Sequence, residues 1–162
     1  MTSREIPSND RSQSQLQNAE RWGVIYARVA LGAAFLSAVA SRFGLWHGPL
    51  DVKYFANFIQ YTAEVNSFMP TAIIPFLAWG ATVAETSLGI LLVLGLWPRW
   101  VSLGSAVLLA MFGTAMAISS GIKSPMDYSV FSASGAAVLL ALHAFRQNSN
   151  QSFNYEAEGH SS

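Results

Sequence analysis

Residues 73–96 read IIPFLAWGATVAETSLGILLVLGL, an apolar stretch interrupted by one ionisable side chain, Glu85. With a rise of about 1.5 Å per residue, a helix of this length reaches through a hydrocarbon core about 30 Å thick. A charge at that depth costs roughly 2.5 to 3.5 kcal/mol on insertion scales, so it needs a partner, a neutral protonation state or a wet cavity. The stretch therefore predicts a membrane helix with a polar point near its middle.

Three further stretches approach the length of a membrane span: residues 22–41, 101–119 and 130–145, the last being the shortest. Four spans with short connections in 162 residues leave no room for a separate soluble domain. The sequence predicts an all-α membrane protein, a bundle of four antiparallel transmembrane helices over residues 22–146. Residues 1–21 form a polar N-terminal tail in this prediction, and the Asn- and Ser-rich residues 147–162 a disordered C-terminal tail.

The first connection, residues 42–72, is much longer than the other two and carries a helical pattern of its own. Phe55, Phe58, Ile59 and Thr62 follow helical spacing, which predicts a short amphipathic helix over about residues 52–66, ended before Pro70. Two interpretations stay open: an interfacial helix that closes the outer end of the bundle, or a lid over a ligand cavity.

Basic residues near the spans predict the orientation. Five share one side (Arg4, Arg11, Arg21, Arg99 and Arg146) and three the other (Arg42, Lys53 and Lys123). The excess places both termini in the cytoplasm, with the protein in a bacterial plasma membrane. Residues 38–40, Ala-Val-Ala, resemble a signal-peptide cleavage site, but the long polar leader and Arg28 within the apolar run disfavour that interpretation.

Composition excludes several classes of function. Net charge is zero and no basic cluster is present, so we expect no nucleic-acid partner. The chain has no cysteine, which excludes disulfides, thiolate nucleophiles and iron–sulfur clusters on this chain. No two of its three histidines share a helix at ligand spacing, so no haem or metal-ligated cofactor is expected. His143, near the end of the fourth span, is typical of an interfacial or capping histidine.

The expected site is an intramembrane polar cluster around two ionisable residues, Arg28 in the first span and Glu85 in the second. Small or polar residues lie on the same helix faces: Gly32 beside Arg28, and Thr82 and Gly89 beside Glu85. Three interpretations stay open. Arg28 and Glu85 form a structural ion pair or polar network, the cluster binds a ligand or handles protons, or Arg28 reaches the inner interface while Glu85 is protonated.

The residue pattern Ala27-Arg28-Val-Ala-Leu-Gly32 in the first span, with Ala84-Glu85-Thr-Ser-Leu-Gly89 in the second, resembles the DoxX family of small four-helix membrane proteins. The resemblance covers about residues 22–146, including the basic turn at Arg99. It departs from the family at the end of the first helix, where Ser41 and Arg42 stand in place of Gly and Lys. The resemblance implies a link to quinone-reducing and other membrane-associated oxidoreductase assemblies, without assigning a catalytic residue.

Two functions follow as alternatives. The first is a non-catalytic membrane subunit of an oxidoreductase assembly, in contact with the lipid bilayer and a redox partner protein, with quinone as a candidate cofactor and no redox centre of its own. The second is a small proton-coupled transporter in which Glu85 exchanges a proton for substrate. A homo-oligomer is compatible with both.

Overall fold

The computed structural model describes the backbone of residues 8–159 and the side chains of residues 11–149. The described residues form helices and turns, with no strand. The helices are α1 (Ser8–Arg42), α2 (Lys53–Val65), α3 (Ile74–Leu94), α4 (Pro98–Ser120), α5 (Lys123–Asp127) and α6 (Val130–Gly159), and a single 3₁₀ turn, Thr71–Ile73, leads into α3.

Three segments in the described part of the chain are long and apolar enough to cross a membrane: Arg11–Arg42, Thr71–Leu94 and Pro98–Ser120. The predicted fourth span lies in α6, but its apolar part, residues 130–145, is only about 24 Å long at 1.5 Å per residue. That is shorter than a typical hydrocarbon core of about 30 Å. Length and composition thus support three spans directly, and the crossing by α6 stays a prediction.

The four long helices form two close pairs. α1 packs mainly along α3, and α4 packs mainly along α6. Buried apolar side chains from all four helices meet in one cluster: Leu31, Phe35, Leu92, Val101, Ala106, Ala137 and Leu140. Many large apolar side chains point outward instead, among them Phe76, Val83, Ile118 and Leu139. An outward apolar surface of this kind suits lipid contact.

A tight turn over residues 95–97 joins α3 to α4. Gly95 adopts the left-handed conformation at φ 76°, and its N–H donates to the carbonyl oxygens of Leu91 at 2.9 Å and Leu92 at 3.2 Å. Glycine reaches this conformation without strain, which makes it the usual residue at a helix C-terminus. Pro98 then begins α4, a position where its missing N–H costs no helical hydrogen bond.

The amphipathic helix in the first connection is confirmed as α2, Lys53–Val65, against the predicted residues 52–66. Its first turn is held by the Asp51 carboxylate, which accepts a hydrogen bond from the Lys53 N–H at 2.9 Å. α2 packs against α3 and α4 and covers the end of the bundle where α1 finishes. We call this end the α2 end, and the opposite end, at the turn between α3 and α4, the Arg28 end.

Both polar tails contain helix where the structure describes them. α1 begins at Ser8, well before its apolar part, and α6 continues through residues 147–159, where the sequence indicated disorder. Extending a helix that already exists avoids the cost of nucleating a new one, so a polar segment can stay helical beside an apolar one. The extension of α1 also contacts the span part of α6, since Glu20 lies 3.0 Å from His143.

Candidate functional site

Glu85 forms a buried ion pair with Arg42, the last residue of α1. The Arg42 Nη2 group donates to both carboxylate oxygens of Glu85 at 2.7 Å. The Glu85 side chain is 2% exposed and that of Arg42 is 10% exposed. Short hydrogen bonds between a guanidinium and a carboxylate are among the strongest in proteins, and they are needed here because an unpaired buried charge is very costly.

Thr82 completes the polar cluster one turn from Glu85. Its hydroxyl accepts a hydrogen bond from Arg42 Nη1 at 3.0 Å and donates one to the Ala78 carbonyl at 2.8 Å. A hydroxyl group can accept and donate at the same time, so the Thr82 hydroxyl is hydrogen-bonded both as an acceptor and as a donor. The guanidinium of Arg42 is thereby held at two nitrogen atoms by two residues of α3, which fixes the end of α1 against the middle of that helix.

Aromatic side chains from α2 cover the ion pair. The Phe58 ring lies over the Arg42 guanidinium, 3.8 Å from its carbon to the ring centroid. Phe55 is buried between Phe43, with ring centroids 5.5 Å apart, and Trp79, at 4.4 Å. A cation over an aromatic face is attracted by the ring and gains more when water is excluded. α2 thus acts as a cover over the Arg42–Glu85 pair.

α2 is also anchored at its C-terminal end. The Ser119 hydroxyl of α4 donates to the Val65 carbonyl at 2.9 Å, and the hydroxyls of Ser119 and Ser67 are 3.2 Å apart. The pKa of Tyr61 on α2 is raised above its ordinary value, first by partial burial and then by its neighbours Tyr128 and Glu64. The hydrogen bond from Ser119 holds the cover to α4, in addition to its packing against α3.

The structure does not pair Arg28 with Glu85, which was one of the three interpretations that the sequence left open. Arg28 lies toward the other end of α3, where its Nε donates to the Leu92 carbonyl at 3.2 Å. Its guanidinium rests against Gly95, so closely that a Cβ atom at position 95 would overlap it. Arg28 therefore binds the C-terminal turn of α3, where the negative end of the helix dipole favours a cation.

The direction in which helical side chains lean explains this exchange of partners. Side chains lean toward the N-terminus of their own helix, and α1 and α3 run antiparallel. Arg42 therefore leans back along α1 toward the level of Glu85, while Glu85 leans toward the α2 end and meets it. Arg28 leans in the same direction as Arg42, toward the N-terminus of α1, and therefore away from Glu85. Sequence reasoning missed Arg42 because it counted that residue only as an exposed basic charge beyond the span.

Gly32 and Gly89, two of the predicted site residues, lie in close contact with each other between α1 and α3. A Cβ atom on Gly32 would lie 2.8 Å from the Gly89 carbonyl oxygen, and one on Gly89 would lie 3.0 Å from Leu36 Cγ. With Gly32 and Gly89 at the same level, a rise of about 1.5 Å per residue gives the separations along the helix axis. The backbone of Arg42 is then about 9 Å, and that of Arg28 about 12 Å, from the level of Glu85. The glycines are packing residues that set the register of the two helices.

A second polar region lies at the Arg28 end, in a cavity of about 560 Å³ between α1, α4 and α6. Arg28 and His143 line it, together with Glu20 and the buried Ser102. His143 Nδ1 lies 3.0 Å from a Glu20 oxygen, and its Nε2 lies 2.8 Å from the Gln147 amide nitrogen. The sequence did not single out Ser102.

The described residues contain no group of three or more His, Asp or Glu side chains arranged to hold a metal ion. The chemistry visible at the α2 end is instead that of a charge pair held in an apolar surrounding. Such a pair can fix two helices in one register, and breaking it would leave one charge buried without a partner.

A comparison with protein-family models identifies the family. The model of methylamine utilisation protein MauE matches residues 20–127, which include α1 from Glu20 onward and all of α2, α3, α4 and α5. The chain belongs to the MauE family. Together with its apolar helices, this match makes it an integral membrane protein. No curated protein and no solved structure shows a significant match to the chain.

The resemblance to the DoxX family is wrong as an assignment, because the family model that matches is MauE. The structure gives a physical reason for the error. The Arg-to-Gly and Glu-to-Gly spacings that carried the resemblance place Gly32 and Gly89 at the α1–α3 crossing, with a polar residue one turn away on each helix. Close packing of antiparallel membrane helices demands small residues of this kind in any family.

Proposed function

We propose that this member of the MauE family is a non-catalytic membrane subunit that works with an oxidoreductase in the utilisation of methylamine or a related small amine. The family match supports this proposal most directly. Release of carbon and nitrogen from methylamine requires chemistry at its C–N bond, and oxidation of that bond is an oxidoreductase reaction. The chain has no cysteine, and in this proposal the redox centre, a quinone included, belongs to a partner protein or to the lipid phase.

The proposal includes four membrane crossings within a single membrane domain, residues 22–146. Although the apolar part of α6 is short, Leu139 and Leu142 are exposed while Ala137, Leu140 and Ala141 are buried against the bundle. An apolar helix with one face in the core and an equally apolar face outside is suited to lipid. A short span is tolerated by local thinning of the bilayer or by flanking polar side chains that reach to the interface.

We also propose a bacterial plasma membrane as the location, with the Arg28 end on the cytoplasmic side. The exposed Trp22, Trp97 and Trp100 lie at this end, as expected for interfacial rings. Arg21, Arg99 and Arg146 lie on the same side, and the excess of basic residues supports a cytoplasmic position.

The role proposed for Glu85, Thr82, Gly32 and Gly89 is to fix α1 on α3, with Arg42 as the partner of Glu85. The transport alternative receives less support from the geometry. A transport carboxyl group must meet substrate and exchange a proton, whereas both oxygens of Glu85 are bound by Arg42 beneath the aromatic rings of α2.

The experiment is deletion of the gene in its native host, followed by growth on methylamine as sole nitrogen source and, as control, on ammonium. The proposal predicts loss of growth on methylamine alone and restoration by the wild-type gene. Equal growth of the deletion strain on both sources would contradict it.

A pull-down from native membranes in mild detergent, followed by mass spectrometry, tests the partner separately. A co-purifying protein that carries a redox cofactor supports the subunit role. Isolation of the chain only with copies of itself would favour transport.

A further inference from the structure

The cavity at the Arg28 end is lined by two groups that keep unused hydrogen-bond donors, Ser102 and Arg28. It is partly enclosed, with a volume of about 560 Å³, which lies in the range of small-molecule sites. Its wall combines apolar side chains, such as Val24 and Leu140, with the polar groups of Arg28 and Ser102. This mixture suits a ligand that has both an apolar part and a polar head.

Ser102 is the first of these groups. It is 1% exposed, and its Oγ has no hydrogen-bond partner among the described residues. The other buried hydroxyls of the described chain behave differently, since Thr62, Thr82, Ser105 and Ser134 each donate to a backbone carbonyl. An unpaired buried hydroxyl is costly, so the Ser102 hydroxyl is a donor that a bound molecule can satisfy.

Arg28 is the second group. Its Nε is used by the Leu92 carbonyl, but no carboxylate of the described residues forms an ion pair with it. Glu20 is the acidic residue of the cavity lining, and it faces His143 at 3.0 Å and Arg146 at 3.9 Å. The guanidinium of Arg28 thus keeps donors and a positive charge available to a ligand.

We propose that this cavity binds a phosphate group, with Arg28 and Ser102 as its donors and the headgroup of an anionic phospholipid as its source. The arginine supplies the charge and a fork of N–H groups that fits a phosphate, and the serine supplies one further hydrogen bond. The apolar wall formed by Val24, Ile25 and Leu140 suits the glycerol and upper acyl part of a lipid. A neutral carbonyl ligand would leave the charge of Arg28 unbalanced. Basic cavities between membrane helices are known to take such headgroups.

The test uses the full chain, purified in neutral detergent and stripped of lipid. Thermal unfolding and native mass spectrometry are followed while phosphatidylglycerol, phosphatidylcholine or inorganic phosphate is added. The site predicts tighter binding and greater stabilisation by phosphatidylglycerol than by phosphatidylcholine, because choline balances the phosphate charge of the latter. If inorganic phosphate alone stabilises the protein as much as phosphatidylglycerol does, the phosphate site is supported and its ligand is a soluble phosphate.

Variants separate the site from general stability. Ser102→Ala should bind phosphatidylglycerol about fivefold more weakly, while its melting temperature without lipid stays the same or rises, because an unpaired hydroxyl is removed. Arg28→Gln should bind at least about tenfold more weakly, a change worth about 1.4 kcal/mol. The matched controls are Ser105→Ala, which removes a buried hydroxyl of the same helix already bound to Val101, and Arg99→Gln, which removes a charge outside the cavity.

If Arg28→Gln does not fold, Arg28→Lys takes its place, because it keeps the charge and loses the fork of donors. Equal binding of phosphatidylglycerol and phosphatidylcholine with no effect of phosphate would overturn the proposal. Unchanged lipid binding by both the Ser102 and the Arg28 variants would overturn it as well.

Discussion

At the scale of single residues, Arg42 is the partner of Glu85, whereas Arg28 binds the C-terminal turn of α3. Glu85 and Thr82 were identified as the polar centre of the second span, because a carboxyl group in an apolar run needs compensation. Arg42 was missed, since its sequence position is beyond the span and only the lean of its side chain brings it inward. The residue types were thus predictable, but the pairing depends on side-chain direction and helix register.

Gly95 provides a prediction at this scale. Gly95→Ala should destabilise the protein by more than about 1 kcal/mol, because alanine is strained at φ 76° and its Cβ would overlap Arg28. Gly80→Ala is the control on the same helix, since no heavy atom lies within 4 Å of a Cβ placed there. It should be neutral or stabilising by up to about 1 kcal/mol. Thermal unfolding in detergent measures both, and equal effects would contradict the assigned role of Gly95.

At the scale of elements, sequence patterns predict helices well where apolar periodicity is strong. The spacing of Phe55, Phe58 and Thr62 predicts α2 to within one residue at each end. The polar extensions of α1 and α6 were harder to predict, because their composition resembles disordered segments. Their helical state depends on continuation from an adjoining helix, which composition alone does not report.

α2 provides a prediction at this scale, because its Phe58 ring covers the guanidinium of Arg42. Phe58→Ala should lower stability by about 1 to 3 kcal/mol, through loss of the cation–π contact and entry of water above the ion pair. Phe68→Ala is the control, since Phe68 lies outside α2 and is exposed. Hydrogen exchange should rise in α2 and at the end of α1 only for the Phe58 variant. Equal exchange in both variants would show that α2 does not protect the pair.

At the scale of the whole molecule, the open question is whether α6 crosses the membrane. The absence of cysteine allows clean labelling of single introduced thiols. We expect Met126→Cys, just before α6, to react with an impermeant thiol reagent applied outside intact cells. Ser14→Cys and Ser149→Cys should react only after lysis. Reaction of both Met126→Cys and Ser149→Cys from outside would leave α6 on one side and reduce the bundle to three spans.

The arrangement of the whole bundle depends on which arginine holds Glu85, since that contact sets how far the end of α1 reaches along α3. Double-mutant cycles test this most directly, with stability measured for Arg42→Gln, Arg28→Gln, Glu85→Gln and the two double variants that include Glu85. The structure predicts a coupling of about 1 to 3 kcal/mol between Arg42 and Glu85, and additivity within about 0.5 kcal/mol between Arg28 and Glu85. Coupling between Glu85 and Arg28, together with additive effects of the Arg42 and Glu85 substitutions, would contradict the ion pair between Arg42 and Glu85.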